Sequence, residues 1–141
     1  MRIAVIDGKG GGLGRTIVES IKPLLAPGDE LLVLGTNSHA TANMLKGGAG
    51  DGATGENAVV TMAGQMDLII GPIAIIAADA MMGEVTPRMA EAISRCSAEK
   101  LLLPLGRCGI TVVGAADESM AQRLARMASW VSRWLAERSG E

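Results

Sequence analysis

Short apolar runs alternate along this chain with stretches whose apolar residues return every three or four positions, and glycines stand at most of the junctions. The runs predict strands buried on both faces, and the periodic stretches predict the helices that cover them. The first run covers residues 2–6. It ends in Asp7, opens into a loop with glycines at 8, 10, 11, 12 and 14, and passes into a helix over 12–25 that carries Leu13, Ile17 and Ile21 on one face. A turn at 26–29 stops that helix. Residues 31–34 repeat the strand pattern, and Thr36, Asn37 or Ser38 then caps a helix over 39–46 that Gly47 and Gly48 end.

The middle of the chain needs a topological argument. Residues 58–62 have strand propensity, but only 63–66 separate them from the stronger run 67–70, and a parallel crossover needs about a dozen residues or more. A helix is therefore predicted there. A short edge strand at 51–54 precedes it, and Gly55, Glu56 and Asn57 open it at the same sheet edge as the glycine loop. Pro72 predicts a helix over 72–82, and the Thr86-Pro87 pair starts another over 87–96. The first of these is apolar nearly all round, so it is expected beneath another subunit or across the sheet edge. Strands follow at 100–103 and 110–113. Residues 105–109 are too few for a crossover, which makes the last strand an antiparallel edge strand. A helix over about 117–138 closes the chain, with Leu124, Met127, Val131, Trp134 and Leu135 along one stripe. The pattern as a whole predicts one three-layer α/β/α domain of Rossmann-like type over residues 1–141, its parallel strands ordered 3-2-1-4-5.

Composition narrows the partners. A formal charge of −2 over 141 residues provides no basic field for nucleic acid. The longest apolar stretch, 68–82, contains Pro72 and Asp79 and falls short of the roughly 20 residues that cross a bilayer. Cys96 and Cys108 lack a CxxC spacing, which fits reduced thiols in the cytoplasm, and the strand at the N-terminus leaves no room for a signal peptide. There is no HExxH, no CxxC and no serine elbow, so no metal site is expected.

The chemistry lies in the glycine loop. A strand, a glycine turn and a helix N-terminus together present backbone N–H groups and a positive dipole end to an anion. Gly8, Gly12 and Gly14 fit the dinucleotide pattern GxxxGxG, as in short-chain dehydrogenases. The hydride mechanism of those enzymes needs a tyrosine, and this chain has none. The carboxylate that would hold a ribose at the end of the second strand is also missing, for that position reads Gly35, Thr36, Asn37. In the P-loop pattern Gly14 and Thr16 align, but Lys9 replaces the first glycine and Arg15 the lysine. Lys9, Gly10 and Gly11 keep a P-loop-like NTPase as an alternative.

The candidate site is therefore Asp7, Gly8, Lys9, Gly10, Gly11, Gly12, Leu13 and Gly14 for a phosphate, Thr36 and Asn37 for a ribose, and Thr54, Gly55, Glu56 and Asn57 for whatever is attached. It lies where the chain reverses across the sheet, between the loops after strands one and four. Its expected ligand is a nucleotide, a dinucleotide such as NAD(P), a sugar phosphate or another phosphorylated small molecule. Asp7 either takes a ligand hydroxyl or a metal, or fixes the turn by bonding loop N–H groups. Glu56 with Asn57, His39 at the start of the second helix, and Cys108 beside Arg107 are further candidates for chemistry. Another reading is a homodimeric interaction module, built on 68–82 and the Trp130/Trp134 helix, in which the loop serves only as a turn.

Taken as a set, IDGKGGGLG, LGTNSHAT, MLKGGAGDGATGEN, IIGPIAI and GEVTPRMAEAI resemble a family of short bacterial proteins known only as a domain of unknown function. The resemblance covers about residues 1–113. It implies a Rossmann-like core and a shared site at these loops, and it carries no activity with it.

Overall fold

In the computed structural model, which describes residues 1–105, 108–115 and 117–139, strand β1 (Arg2–Asp7) has no exposed apolar face. Ala4 and Ile6 enter one core and Ile3 and Val5 another, as a period of two requires when both sides of a sheet are covered. Helices α1 (Gly12–Ile21), α2 (Ser38–Lys46) and α5 (Met120–Ser139) cover the second side through Ile17, Val18, Met44, Val131 and Trp134. On the first side lie α3 (Glu56–Ala63) and α4 (Pro87–Arg95), which contribute Val59, Ala63, Met89 and Ile93. Between these layers β1, β2 (Glu30–Gly35), β3 (Asp51–Thr54), β4 (Leu68–Pro72) and β5 (Glu99–Leu103) form a parallel sheet in the order 3-2-1-4-5. Among the described residues no helix is long and apolar enough to cross a membrane.

Two expectations are corrected. Residues 72–82 do not form a helix: Pro72 is extended and pairs with Leu103, one short 3-10 turn covers Ile73–Ile76, and a strap over 77–86 follows. Asp79, Met81 and Met82 have φ values of 65°, 56° and 57°, a left-handed conformation that no right-handed helix accommodates. The strap closes on itself, with the Asp79 N–H donating to the Val85 carbonyl at 2.7 Å and the Val85 N–H to the Ala80 carbonyl at 3.1 Å. Ala74, Ile75, Ala80 and Val85 are buried against Met89 and Ile93 of α4, so the chain itself covers much of this apolar stretch.

The second correction concerns the edge strand expected at 110–113. Those residues form no strand; Pro104 follows β5, the Leu105 N–H bonds back to the Leu103 carbonyl at 2.8 Å, and Val113 is 97% exposed. Strand propensity alone is insufficient: β5 ends the sheet with β4 as its partner, and residues 110–113 do not pair with its other edge. The helix ends also shift slightly. The tail of α1 becomes a 3-10 segment, Lys22–Leu24, at Pro23, which has no N–H to donate to the preceding turn.

The strap's backbone permits a simple check. Met82 is 94% exposed and left-handed, so its side chain has little packing to lose and its Cβ strains the turn. Met82→Gly is expected to stabilise the protein by about 0.5–1 kcal/mol, read as a thermal midpoint a few degrees higher. A lower midpoint would show that the methionine makes a contact that outweighs the strain.

Candidate functional site

The turn after β1 is built around Asp7, which is 5% exposed. Its Oδ1 accepts from the Gly8 N–H and its Oδ2 from the Gly14 N–H, both at 2.8 Å, so one carboxylate ties the end of the strand to the first turn of α1. Burial pushes the Asp7 carboxyl above its usual range, the two backbone hydrogen bonds oppose this, and the nearby Glu84 charge adds to it. With both oxygens engaged by the chain, Asp7 fixes the turn.

Lys9 is the next constraint. It is left-handed at φ 50°, and both of its backbone polar groups are clamped: the N–H donates to Glu84 Oε1 at 2.8 Å, and the carbonyl accepts from Asn37 Nδ2 at 2.9 Å. Glu84 Oε1 also accepts from Thr36 Oγ1 at 2.7 Å and from Asn37 Nδ2 at 2.8 Å. Burial alone would raise the Glu84 carboxyl, but the bonds from Lys9, Thr36 and Asn37, with the Lys9 charge, outweigh it and hold the pKa below the ordinary glutamate value. Three donors expected to face a ligand, the Lys9 N–H, Thr36 and Asn37, therefore hold a carboxylate of the chain itself. Asn37 has another task, since its Oδ1 caps α2 by accepting from the Ala40 N–H at 2.8 Å.

The five loop glycines divide into two groups. A Cβ at Gly8 would stand 2.5 Å from Thr36 Oγ1 and 2.6 Å from Met81 Sδ. Gly11 is left-handed at φ 70°, with the Ala40 carbonyl oxygen 2.6 Å from its Cβ position, and a Cβ at Gly14 would overlap Met44 and reach within 2.9 Å of Asp7 Cβ. Packing and backbone demand glycine at these three positions. At Gly10 and Gly12 a Cβ would meet nothing within 4 Å, and neither residue has a positive φ. Among the described residues the N–H groups of Gly10, Gly12 and Leu13 make no hydrogen bond, whereas the Gly10 carbonyl is braced from α2 by Asn43 Nδ2 at 2.9 Å.

These free N–H groups belong to residues bordering a cleft of about 660 Å³. Residues 7–13 form one wall; Pro72, Ala74, Met81, Met82, Leu105 and Cys108 form the other. The cleft lies at the carboxyl ends of β1 and β4, where the strand order reverses, which is where open parallel sheets bind ligands. A second cleft of about 650 Å³ lies at the other end of the strands, lined in part by Arg2, Asp29 and Glu30. Of its charged groups Arg2 pairs with Glu30, and Asp29 with the N-terminal amine, each at 2.8 Å, and Lys22 and Asp51 also line it.

Gly14, Thr36, Asn37 and Glu84 are not among the residues lining the cleft, and of the remaining described candidates Cys108 alone is. Thr54 shares a hydrogen bond with Thr41 at 2.7 Å, Gly55 donates to the Gly35 carbonyl at 2.8 Å, Glu56 pairs with Arg88 at 3.3 Å, and Asn57 is exposed. None of the four lines the cleft, because β2 lies between β3 and β1. His39 is exposed on the first turn of α2, and the Thr16 hydroxyl donates to the Gly12 carbonyl at 3.0 Å. Cys108 lines the cleft as a free thiol, while Arg107 lies outside the described residues. Glu84, which accepts from Lys9, Thr36 and Asn37, is the residue at the candidate site that sequence reasoning missed. One signal was available: Asp79 and Glu84 are the only charged residues between Asp67 and Arg88.

The family whose model matches residues 2–136 is described as a domain of unknown function (DUF3842). No curated protein and no solved structure matches the chain.

Proposed function

Given that the chain belongs to the DUF3842 family, we propose that it binds a phosphorylated small molecule, of the nucleotide or dinucleotide class that includes NAD(P), in the cleft over the glycine loop. The observation that carries this reading is the unpaired N–H groups of Gly10, Gly12 and Leu13 beside two glycines that neither packing nor backbone conformation requires. A phosphoryl group placed there would take those donors and meet the positive end of α1, with no side chain in its way. Lys9 adds a cation to the same loop. The opposite wall, with Met81, Met82 and Leu105, supplies apolar surface for the rest of the ligand. Free thiols at Cys96 and Cys108 accord with a cytoplasmic setting.

The test is a thermal-shift series with inorganic pyrophosphate, ADP, GDP, NAD and NADP at millimolar concentration. A ligand at about 100 times its Kd stabilises the native state by about 2.7 kcal/mol, which is several degrees for a domain of this size. Pyrophosphate is expected to raise the midpoint alone and one of the nucleotides to raise it further. If none of the five moves the midpoint, the binding reading fails.

A further inference from the structure

The carboxyl end of β2 offers no carboxylate of its own at residues 35–37, yet a carboxylate stands there. The strap over 77–86 delivers Glu84 to that position, 48 residues along the chain from Thr36 and 47 from Asn37. All three donors that hold it, from the glycine loop, the end of β2 and the cap of α2, bond to Oε1. Among the described residues Oε2 accepts no hydrogen bond, and no lysine or arginine pairs with Glu84. One oxygen of the carboxylate is thus consumed by the chain and the other accepts no hydrogen bond, and Glu84 stands beside the glycine loop without being one of the residues that line the cleft. A Cβ at Gly8, itself a residue of the cleft wall, would stand 3.1 Å from Oε1.

An ionised oxygen can only accept, so its partner must donate. A second phosphoryl group would be repelled there, whereas paired hydroxyls would not. We propose that Glu84 is the specificity-determining acceptor for the vicinal hydroxyls of a ribose, and hence that the ligand class is a nucleoside phosphate rather than a simple phosphorylated acid. This rests on the phosphate reading of the glycine loop. The residue supplies from a distant strap the group that an aspartate or glutamate at the end of the second strand supplies in dinucleotide folds.

Glu84→Gln separates the roles of the two oxygens. The amide oxygen can keep the bonds from Lys9, Thr36 and Asn37, while the NH2 replaces an acceptor with a donor at the position of Oε2. Binding would be measured by calorimetry with ADP and GDP, their 2′,3′-dideoxy counterparts, and inorganic pyrophosphate. In the wild-type protein the better-bound ribonucleotide is expected to exceed its dideoxy counterpart by roughly 10- to 100-fold, as hydrogen bonds to a charged group allow. Glu84→Gln is expected to erase that ratio while pyrophosphate binds at least as tightly as to the wild type, because the variant removes a negative charge beside the loop. If ribose and dideoxyribose forms bind the wild-type protein equally, or the ratio survives in the variant, the assignment of Glu84 is overturned and the phosphate reading stands. If neither pyrophosphate nor any nucleotide binds the wild-type protein, the phosphate reading fails and takes this inference with it.

Discussion

Asp7→Ala is expected to destabilise the protein by about 4 kcal/mol, measured as a lowered denaturant midpoint with unchanged slope. The substitution removes the acceptor of two backbone N–H groups, those of Gly8 and Gly14, in a site where the carboxylate is 5% exposed. A buried donor left without a partner costs about 1–3 kcal/mol, and more where the lost acceptor was charged. Asp7→Asn should cost about half as much, because an amide oxygen can satisfy one donor while its NH2 faces the other. The two variants also differ from the wild type in pH dependence. The Asp7 carboxyl is raised above 3.8 in the folded state, so from that value up to its raised pKa the native state binds more protons than the unfolded one. Stability from this group therefore falls as pH rises through that window. Glu84 acts in the opposite sense: its lowered pKa contributes stability that is present above 4.5 and is lost as pH falls through the folded value. A stability profile for Asp7→Asn should rise more steeply with pH across the acid range than the wild-type profile. A parallel profile would mean that Asp7 titrates alike in both states.

The second large effect separates glycines that the chain packs against from glycines that face the cleft. Gly14→Val is expected to cost about 3 kcal/mol, since its Cβ would overlap the fully buried Met44 and press on Asp7 Cβ. Gly12→Asp is expected to leave the midpoint unchanged or slightly higher, because nothing lies within 4 Å of its Cβ and a carboxylate suits the first turn of a helix. The same carboxylate would occupy the anion position, so pyrophosphate affinity should fall by roughly 100-fold. Circular dichroism melting paired with calorimetry reads both quantities. If Gly12→Asp melts early, or binds pyrophosphate as well as the wild type, the division of the loop is wrong.

Much of the architecture could be read from residue order. Runs such as residues 3–6 and 31–34 contain no polar position, which only a sheet covered on both faces accommodates. The few residues between 58–62 and 67–70 forced a helix before β4, and α3 is there. An aspartate closing β1 before a glycine loop carried its turn-fixing role as one of two readings. Less was legible where local patterns compete with distant partners. Pro72 reads as a helix start by rule, but pairing with Leu103 keeps it extended and three left-handed residues follow. Residues 110–113 have the composition of a strand and no partner to make them one.

The site shows the same division most clearly. Residue order on its own determined the parallel order 3-2-1-4-5 and the glycine turn after β1, and it narrowed the cap of α2 to Thr36, Asn37 or Ser38, of which Asn37 serves. Which groups meet at that turn depends on approaches between segments dozens of residues apart, and no local preference encodes them. Only the tertiary structure brought Glu84 onto Lys9, Thr36 and Asn37, left Thr54 to Asn57 a strand away, and separated the glycines that packing demands from those it leaves open. The reason is physical: a hydrogen bond between residues 36 and 84 exists only after the sheet has placed the end of β2 beside the strap.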